Sequence, residues 1–186
     1  VECIEVSAGA TEKVTQLIKG YKRIFLVADE NTLGVANAEG LCEALDASGF
    51  NVKKLIYKNM MYARIEQVRE VEALLDDVDG VISCGTGSLN DICRVASFEK
   101  DKKFCIFATA PSMDGFASDT APIIENNFKV SWFVRQPMVI LADTKILANA
   151  PTELKAAGFG DMVAKYIGIA DWRISNLLTG EYYCPA

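Results

Sequence analysis

The chain has 186 residues, 51% of them hydrophobic, enough for one domain with a sizeable core and the start of a second. Nineteen basic residues against 25 acidic ones give a net charge of -6, and no Lys/Arg run exceeds two, so the sequence carries no electrostatic footprint for nucleic acid. Its longest apolar runs, such as "MVILA", fall far short of the about 20 residues that span a bilayer, and no basic-apolar-small signal opens it, so it reads as a cytoplasmic protein without a membrane span.

Strand-like and helix-like stretches alternate from the start. "CIEVSAG" leads into "TEKVTQLIKG", and "KRIFLVAD" into a helix over 32–48 that ends at Gly49, a suitable C-cap residue. "NVKKLIY" follows, then a helix over 64–75 in which Ile65, Val68, Val71, Leu74 and Leu75 recur with helical period. "DGVISCG" precedes a helix over 88–98, and "KFCIFATA" runs into the turn-rich stretch "ATAPSMDGFASDTAPI". Short apolar strands separated by helices require crossover connections, which predicts an α/β, Rossmann-like, mainly parallel sheet covered on both faces. After Pro122 the alternation stops. "FKVSWFVRQPMVILAD" reads as one or two extended pieces or a hairpin, and 152–178 reads as helical with a Gly-Phe-Gly-Asp interruption. A boundary near 145 divides an α/β domain, 1–145, from the first helices of an all-α domain, 146–186. The unpartnered helices after 150 would expose apolar surface in a bare fragment and could drive association, a homo-oligomer being one form of it.

The six cysteines, at 3, 42, 84, 93, 105 and 184, form no Cys-x-x-Cys pair and read as buried reduced thiols. Histidine is absent. Catalysis carried wholly by this chain must therefore use carboxylates, Lys, Tyr or a cofactor.

Four stretches could carry chemistry. In "VISCGTGSLNDI", Gly85, Thr86, Gly87 and Ser88 lie between a strand and a helix, where N–H groups favour phosphate oxygens; the alternative is a tight turn with Ser88 as N-cap. Asp29 ends a strand and could accept the hydroxyls of an adenosine ribose, favouring NAD over NADP, or could cap the following helix. It precedes the glycine loop, whereas the acid of an ordinary Rossmann fingerprint follows it by about 20 residues. In "ATAPSMDGFAS", Thr109, Ser112 and Ser118 offer hydroxyls and Asp114 could fix a substrate hydroxyl, or the segment is Asx-turn chemistry. Asp161, in "AGFGDMVAKY", stands at the start of a helical run, as an N-cap or as one ligand of a site completed from elsewhere.

In this order, "VADENT", "GTGSLND", "TAPSMDGFAS", the Ala-Pro at 150–151 and "AGFGDMVAK" resemble the family of glycerol-1-phosphate dehydrogenase, glycerol dehydrogenase, iron-dependent alcohol dehydrogenases and dehydroquinate synthase. The tail "ADWRISNLLTGEYYC" is similar to the bacterial glycerol-1-phosphate dehydrogenase branch. The resemblance implies a nucleotide-binding α/β domain, a helical second domain and an active site between them. It implies that Asp29, Gly85, Gly87, Ser88, Leu89, Asn90, Asp91, Thr109, Ser112 and Ser118 contact NAD(H), or alternatively NADP(H). Asp114 would bind the substrate, dihydroxyacetone phosphate or glycerol 1-phosphate, and Asp161 would contribute to substrate binding and ligate zinc or nickel. The family completes that site with two histidines from later helices. Their absence leads us to expect a C-terminally truncated form without dehydrogenase activity. The alternatives are a glycerol dehydrogenase acting on the free polyol, a dehydroquinate synthase, which the tail fits poorly, and a non-catalytic nucleotide-binding module.

Overall fold

The computed structural model describes residues 1–18, 20–34, 38–58 and 62–185. Its elements run β1 (Cys3–Ser7), a 3-10 turn (Ala10–Lys13), α1 (Val14–Leu17), β2 (Arg23–Asp29), α2 (Glu30–Gly34), α3 (Ala38–Ala47), β3 (Asn51–Tyr57), α4 (Ile65–Glu72), β4 (Gly80–Gly85) and α5 (Gly87–Glu99). They continue with β5 (Lys103–Ala108), a 3-10 turn (Gly115–Ala117), β6 (Thr120–Glu125), β7 (Phe128–Phe133), β8 (Val139–Asp143), α6 (Thr144–Asn149) and α7 (Thr152–Thr179). The helices expected over "TEKVTQLIKG" and 32–48 fall partly on residues 19 and 35–37, outside the described residues; α1, α2 and α3 cover what is described of them.

Among the described residues, six strands form one parallel sheet in the order β1-β8-β5-β4-β2-β3. The central strands are continuous apolar runs, as a parallel sheet covered on both faces requires. All six residues of β4 and all five of β8 are buried. Alternate residues of β2 feed opposite cores, since successive side chains of a strand point to opposite faces. Phe25 and Val27 join Val68, Val71, Ile92 and Val95 of α4 and α5 on one face. Ile24, Leu26 and Ala28 join Val14, Leu41 and Leu45 on the other. Cys42, Cys84, Cys93 and Cys105 are buried and outside any disulfide, and burial pushes the Cys105 thiol up to about 12. No described helix is long and apolar enough to cross a membrane.

Two expectations change. The hairpin pairs β7 backwards with β6, through Asn126 and Asn127 at φ 50° and 65°, and "MVILAD" supplies β8 of the parallel sheet instead. A two-residue turn with both φ positive matches the twist of the flanking strands, and asparagine tolerates it better than most residues. The second change is in α7, which runs unbroken through Gly158–Asp161. Asp161 is therefore inside a 28-residue helix and caps nothing, because the helix begins after Pro151. The glycine within it serves packing. A Cβ on Gly158 would lie 1.8 Å from the carbonyl oxygen of Pro111 and 3.3 Å from Cα of Ser112. The helix ends at Gly180, φ 76°, and the tail folds back: Trp172 Nε1 donates to the Tyr182 carbonyl at 2.7 Å and its ring stands 5.0 Å from that of Tyr183.

Gly158 and Gly160 thus predict opposite outcomes. Gly158→Ala must displace backbone and is expected to cost about 1–3 kcal/mol. Gly160→Ala meets nothing within 4 Å and is expected to gain about 0.5–1 kcal/mol by removing a helix-interior glycine. Denaturant unfolding of the two variants checks this; a gain at both would mean that the Pro111 segment yields without cost.

Candidate active site

The sheet changes winding direction between β2 and β4: β3 lies beyond β2 on one side, while β4, β5 and β8 step away on the other. At such a point the connections part outside the carboxyl ends of the strands and leave a crevice for ligands. A cleft of about 490 Å³ lies there, lined by Asp29 and Thr32 after β2, Thr86, Ser88 and Leu89 after β4, Thr109 and Ala110 after β5, and Pro151 and Leu154 at the start of α7.

Asp29 caps the helix that follows it and also lines the cleft. Its Oδ1 accepts the N–H groups of Asn31 and Thr32 at 2.9 and 2.8 Å, fixing the start of α2, and its carboxylate remains on the cleft wall. On the next strand, the N-cap of α5 is Thr86 rather than Ser88, and Thr86 makes no side-chain capping bond. The amino end of this 13-residue helix presents its positive pole to the cleft, which Thr86 and Ser88 line. The two glycines differ in purpose. A Cβ on Gly85 would lie 2.5 Å from Leu89 Cδ1, so that glycine lets α5 seat against β4, whereas Gly87 meets nothing within 4 Å. Neither has a positive φ, so the turn makes no left-handed demand.

Asn90 and Asp91 sit apart from the cleft lining. Asn90 is buried and its Oδ1 accepts the Ser83 hydroxyl at 2.6 Å, inside the sheet-helix interface. Asp91 is 3.9 Å from Arg94, and burial lifts its carboxyl to about 7 against the opposing pull of Arg94 and Lys129. Thr109 is buried on the cleft wall, with its N–H on the Gly85 carbonyl at 3.3 Å. Ser112 lies against Gly158, and Ser118 bonds Thr120, hydroxyl to hydroxyl at 2.9 Å.

Asp114 and Asp161, 47 residues apart in sequence, come together. The Asp114 N–H donates to Asp161 Oδ2 at 2.8 Å, and the Asp114 carboxylate receives Lys165 Nζ at 2.5 Å. That ammonium holds Asp114 below the usual carboxylate range, and Asp114 in turn raises Lys165. Lys165 follows Asp161 by one helical turn and shares its face, which is the spacing that signals it in the sequence. Arg94 is a second residue that the motifs did not mark. Its guanidinium, 2% exposed, donates to the carbonyls of Thr120, Gly115 and Phe116 at 2.7, 3.0 and 3.0 Å and so holds the Asp114 loop against α5.

The residues of the cleft suit a dinucleotide: it is lined by a carboxylate, Asp29, and by the start of α5, whose N-cap Thr86 makes no side-chain capping bond. The metal implied by the sequence resemblance is a different matter. The chain has no histidine, and among the described residues no three His, Cys, Asp or Glu side chains converge. Asp161 and Asp114, each already engaged, do not form a metal centre by themselves.

Residues 5–151 match the family described as iron-containing alcohol dehydrogenase, and the chain belongs to that family. Proteins named glycerol-1-phosphate dehydrogenase [NAD(P)+] are similar to it: that of Bacillus velezensis is 34% identical, over all of this chain and 49% of its own length. That of Geobacillus thermodenitrificans is 36% identical, over all of this chain and 47% of its own. The chain thus spans about half the length of the curated relatives it matches. Among solved structures, a glycerol dehydrogenase from Schizosaccharomyces pombe superposes with a TM-score of 0.79 at 20% identity, over 89% of this chain and 43% of that one. An iron-containing alcohol dehydrogenase from Thermococcus thioreducens gives 0.78 at 13% identity, over 85% and 49%. These two share the fold.

Removing the clamp should loosen the loop. Arg94→Met is expected to cost about 2–4 kcal/mol, because carbonyls that accepted from a charged donor lose it, and hydrogen exchange at 115–120 should rise before the sheet opens. Unchanged protection in that segment would count against the clamp. Asp91 gives a pH signature. Its folded pKa is raised, so its contribution to stability is complete below the ordinary aspartate range and is lost as pH rises through about 7. Asp91→Asn should flatten the stability curve over that window, as read by thermal unfolding from pH 4 to 8.

Proposed function

We propose that the chain is the cofactor-binding part of an NAD(P)-dependent dehydrogenase that interconverts dihydroxyacetone phosphate and sn-glycerol 1-phosphate. The observation that carries this is the cleft at the winding switch, where Asp29 faces the uncapped start of α5. The relatives at 34% and 36% identity bear that enzyme's name, which supports the substrate.

In this reading the adenosine ribose lies on Asp29 and the diphosphate on the backbone at 86–88, with Leu89 and Thr109 closing the cleft walls. When bound, the nicotinamide accepts or supplies a hydride. Asp114 binds a substrate hydroxyl from the loop that Arg94 holds. Asp161 contributes one carboxylate to a zinc or nickel ion whose other ligands lie outside this chain. Residues 146–186 begin a second, helical domain; in support, β8 closes the sheet at Asp143 and every described residue of α7 except Gly158 is at least partly exposed.

Titration with NADH, followed by fluorescence or calorimetry, tests the cleft. Saturable binding is expected, and Thr86→Glu should weaken it by roughly tenfold or more by placing a like charge against the diphosphate. Asp29→Asn keeps an oxygen to cap α2 but removes the charge, so it should shift preference towards NADPH. Absence of binding to the unaltered chain, or indifference to both substitutions, would remove the cleft from consideration.

A further inference from the structure

We infer that Asn149 is the residue that selects adenine as the base of the dinucleotide, its carboxamide pairing with the 6-amino group and the ring nitrogen beside it; this rests on the dehydrogenase reading above.

Neither Asp114 nor Asp161 lines the cleft of about 490 Å³ at the winding switch. In that reading the reacting end of the dinucleotide lies with those two residues, so the cleft takes the other end. With the ribose on Asp29 and the diphosphate at 86–88, the base is the part still without a wall. The rest of the lining comes from α6 and the start of α7: Ile146, Asn149, Ala150, Pro151 and Leu154. Four of these five are apolar, the surface on which a flat ring packs. Leu154 stands exposed, and a base laid on it removes apolar surface from water. Asn149 is the one member of this wall whose side chain forms hydrogen bonds. A carboxamide carries an acceptor and a donor side by side, the complement of adenine's amino group and the neighbouring ring nitrogen. A hydroxyl presents a single atom and cannot span the two. Two carboxamides line the cleft, Asn31 and Asn149. Asn31 follows Asp29 by two residues and its N–H is bound to that carboxylate at 2.9 Å, which puts it at the ribose end beside Thr32. Asn149 adjoins the apolar wall instead. It is exposed, and no described group hydrogen-bonds its carboxamide, so pairing with a base breaks no bond within the protein. Its backbone is held: Asn149 is the last residue of α6, the Ala150 N–H donates to the Leu147 carbonyl at 3.2 Å, and Pro151 fixes the turn into α7.

The test uses the full-length protein and compares NADH with its analogue in which unsubstituted purine replaces adenine, so that only the 6-amino group is missing. Calorimetry gives the dissociation constant of each for the unaltered protein, for Asn149→Ala and for Asn31→Ala. The unaltered protein should hold NADH about fivefold or more tightly than the analogue, as the loss of one hydrogen bond predicts. Asn149→Ala should bring the two constants within about twofold of each other, and Asn31→Ala should keep the preference. Equal weakening of both compounds by Asn149→Ala would overturn the inference, since the side chain would then act on a part of the cofactor that the two share. Loss of the preference in Asn31→Ala would overturn it in favour of that residue. An unaltered protein that binds both compounds equally would overturn it too, and would leave the dehydrogenase reading standing. A full-length protein that binds neither would remove that reading and the inference together.

Discussion

A Cβ at residue 158 has nowhere to go: the carbonyl oxygen of Pro111 fills its place at 1.8 Å. That contact fixes how near α7 can come to the loop after β5, and the distance decides which side chains meet. With the helix backbone against the loop backbone, a short aspartate at 161 reaches the N–H of residue 114, and a lysine one turn on reaches its carboxylate. Any bulkier residue at 158 would hold the two segments apart, and hydrogen bonds fail over such increments. The chemistry of this corner is therefore set by the absence of a methyl group.

The loop is held from two directions by different means. On one side, Arg94 inserts a charged group among three carbonyls, an arrangement whose cost of burial is offset by good donor geometry. On the other, two short bonds from α7 secure Asp114. The first attachment belongs to the interior of the α/β layer and the second to a helix that is exposed almost throughout. The loop thus has a buried inner fastening and an accessible outer one.

The central strands were legible because a parallel sheet writes itself as unbroken apolar runs: "IFLVA", "VISC" and "FCIFA" admit few other readings. The stretch "FKVSWFVRQPMVILAD" does divide into two extended pieces, one of the readings its sequence allows, but they do not pair with each other: the hairpin turns at Asn126-Asn127, before the stretch begins, where the signal is positive φ rather than hydropathy. The break expected in α7 came from reading Gly-Phe-Gly-Asp as punctuation, when its first glycine answers a packing demand from a residue 47 positions earlier. No local rule reveals such a demand. The same limit applied at Gly85, whose missing side chain accommodates Leu89, and at Asn90, whose amide is bound to Ser83 within the interface. Motif order pointed to the region of interest, and the one-turn spacing from Asp161 marks Lys165; Arg94 stands out only when distant segments are side by side.

The strand that forms the sheet last in sequence lies between its neighbours, not at an edge. Strand β8 pairs with β5 on one side and with β1 on the other, Cys3 standing opposite Val139. The Met138 N–H donates to Phe104, while its carbonyl accepts from Glu2 and Cys3. During synthesis on the ribosome, β1 emerges first and then waits, with no neighbour to take its backbone bonds until more than a hundred further residues have been made. Once β5 is made, its outer edge stays open until β8 follows, and the arrival of that one short apolar segment closes both gaps at once.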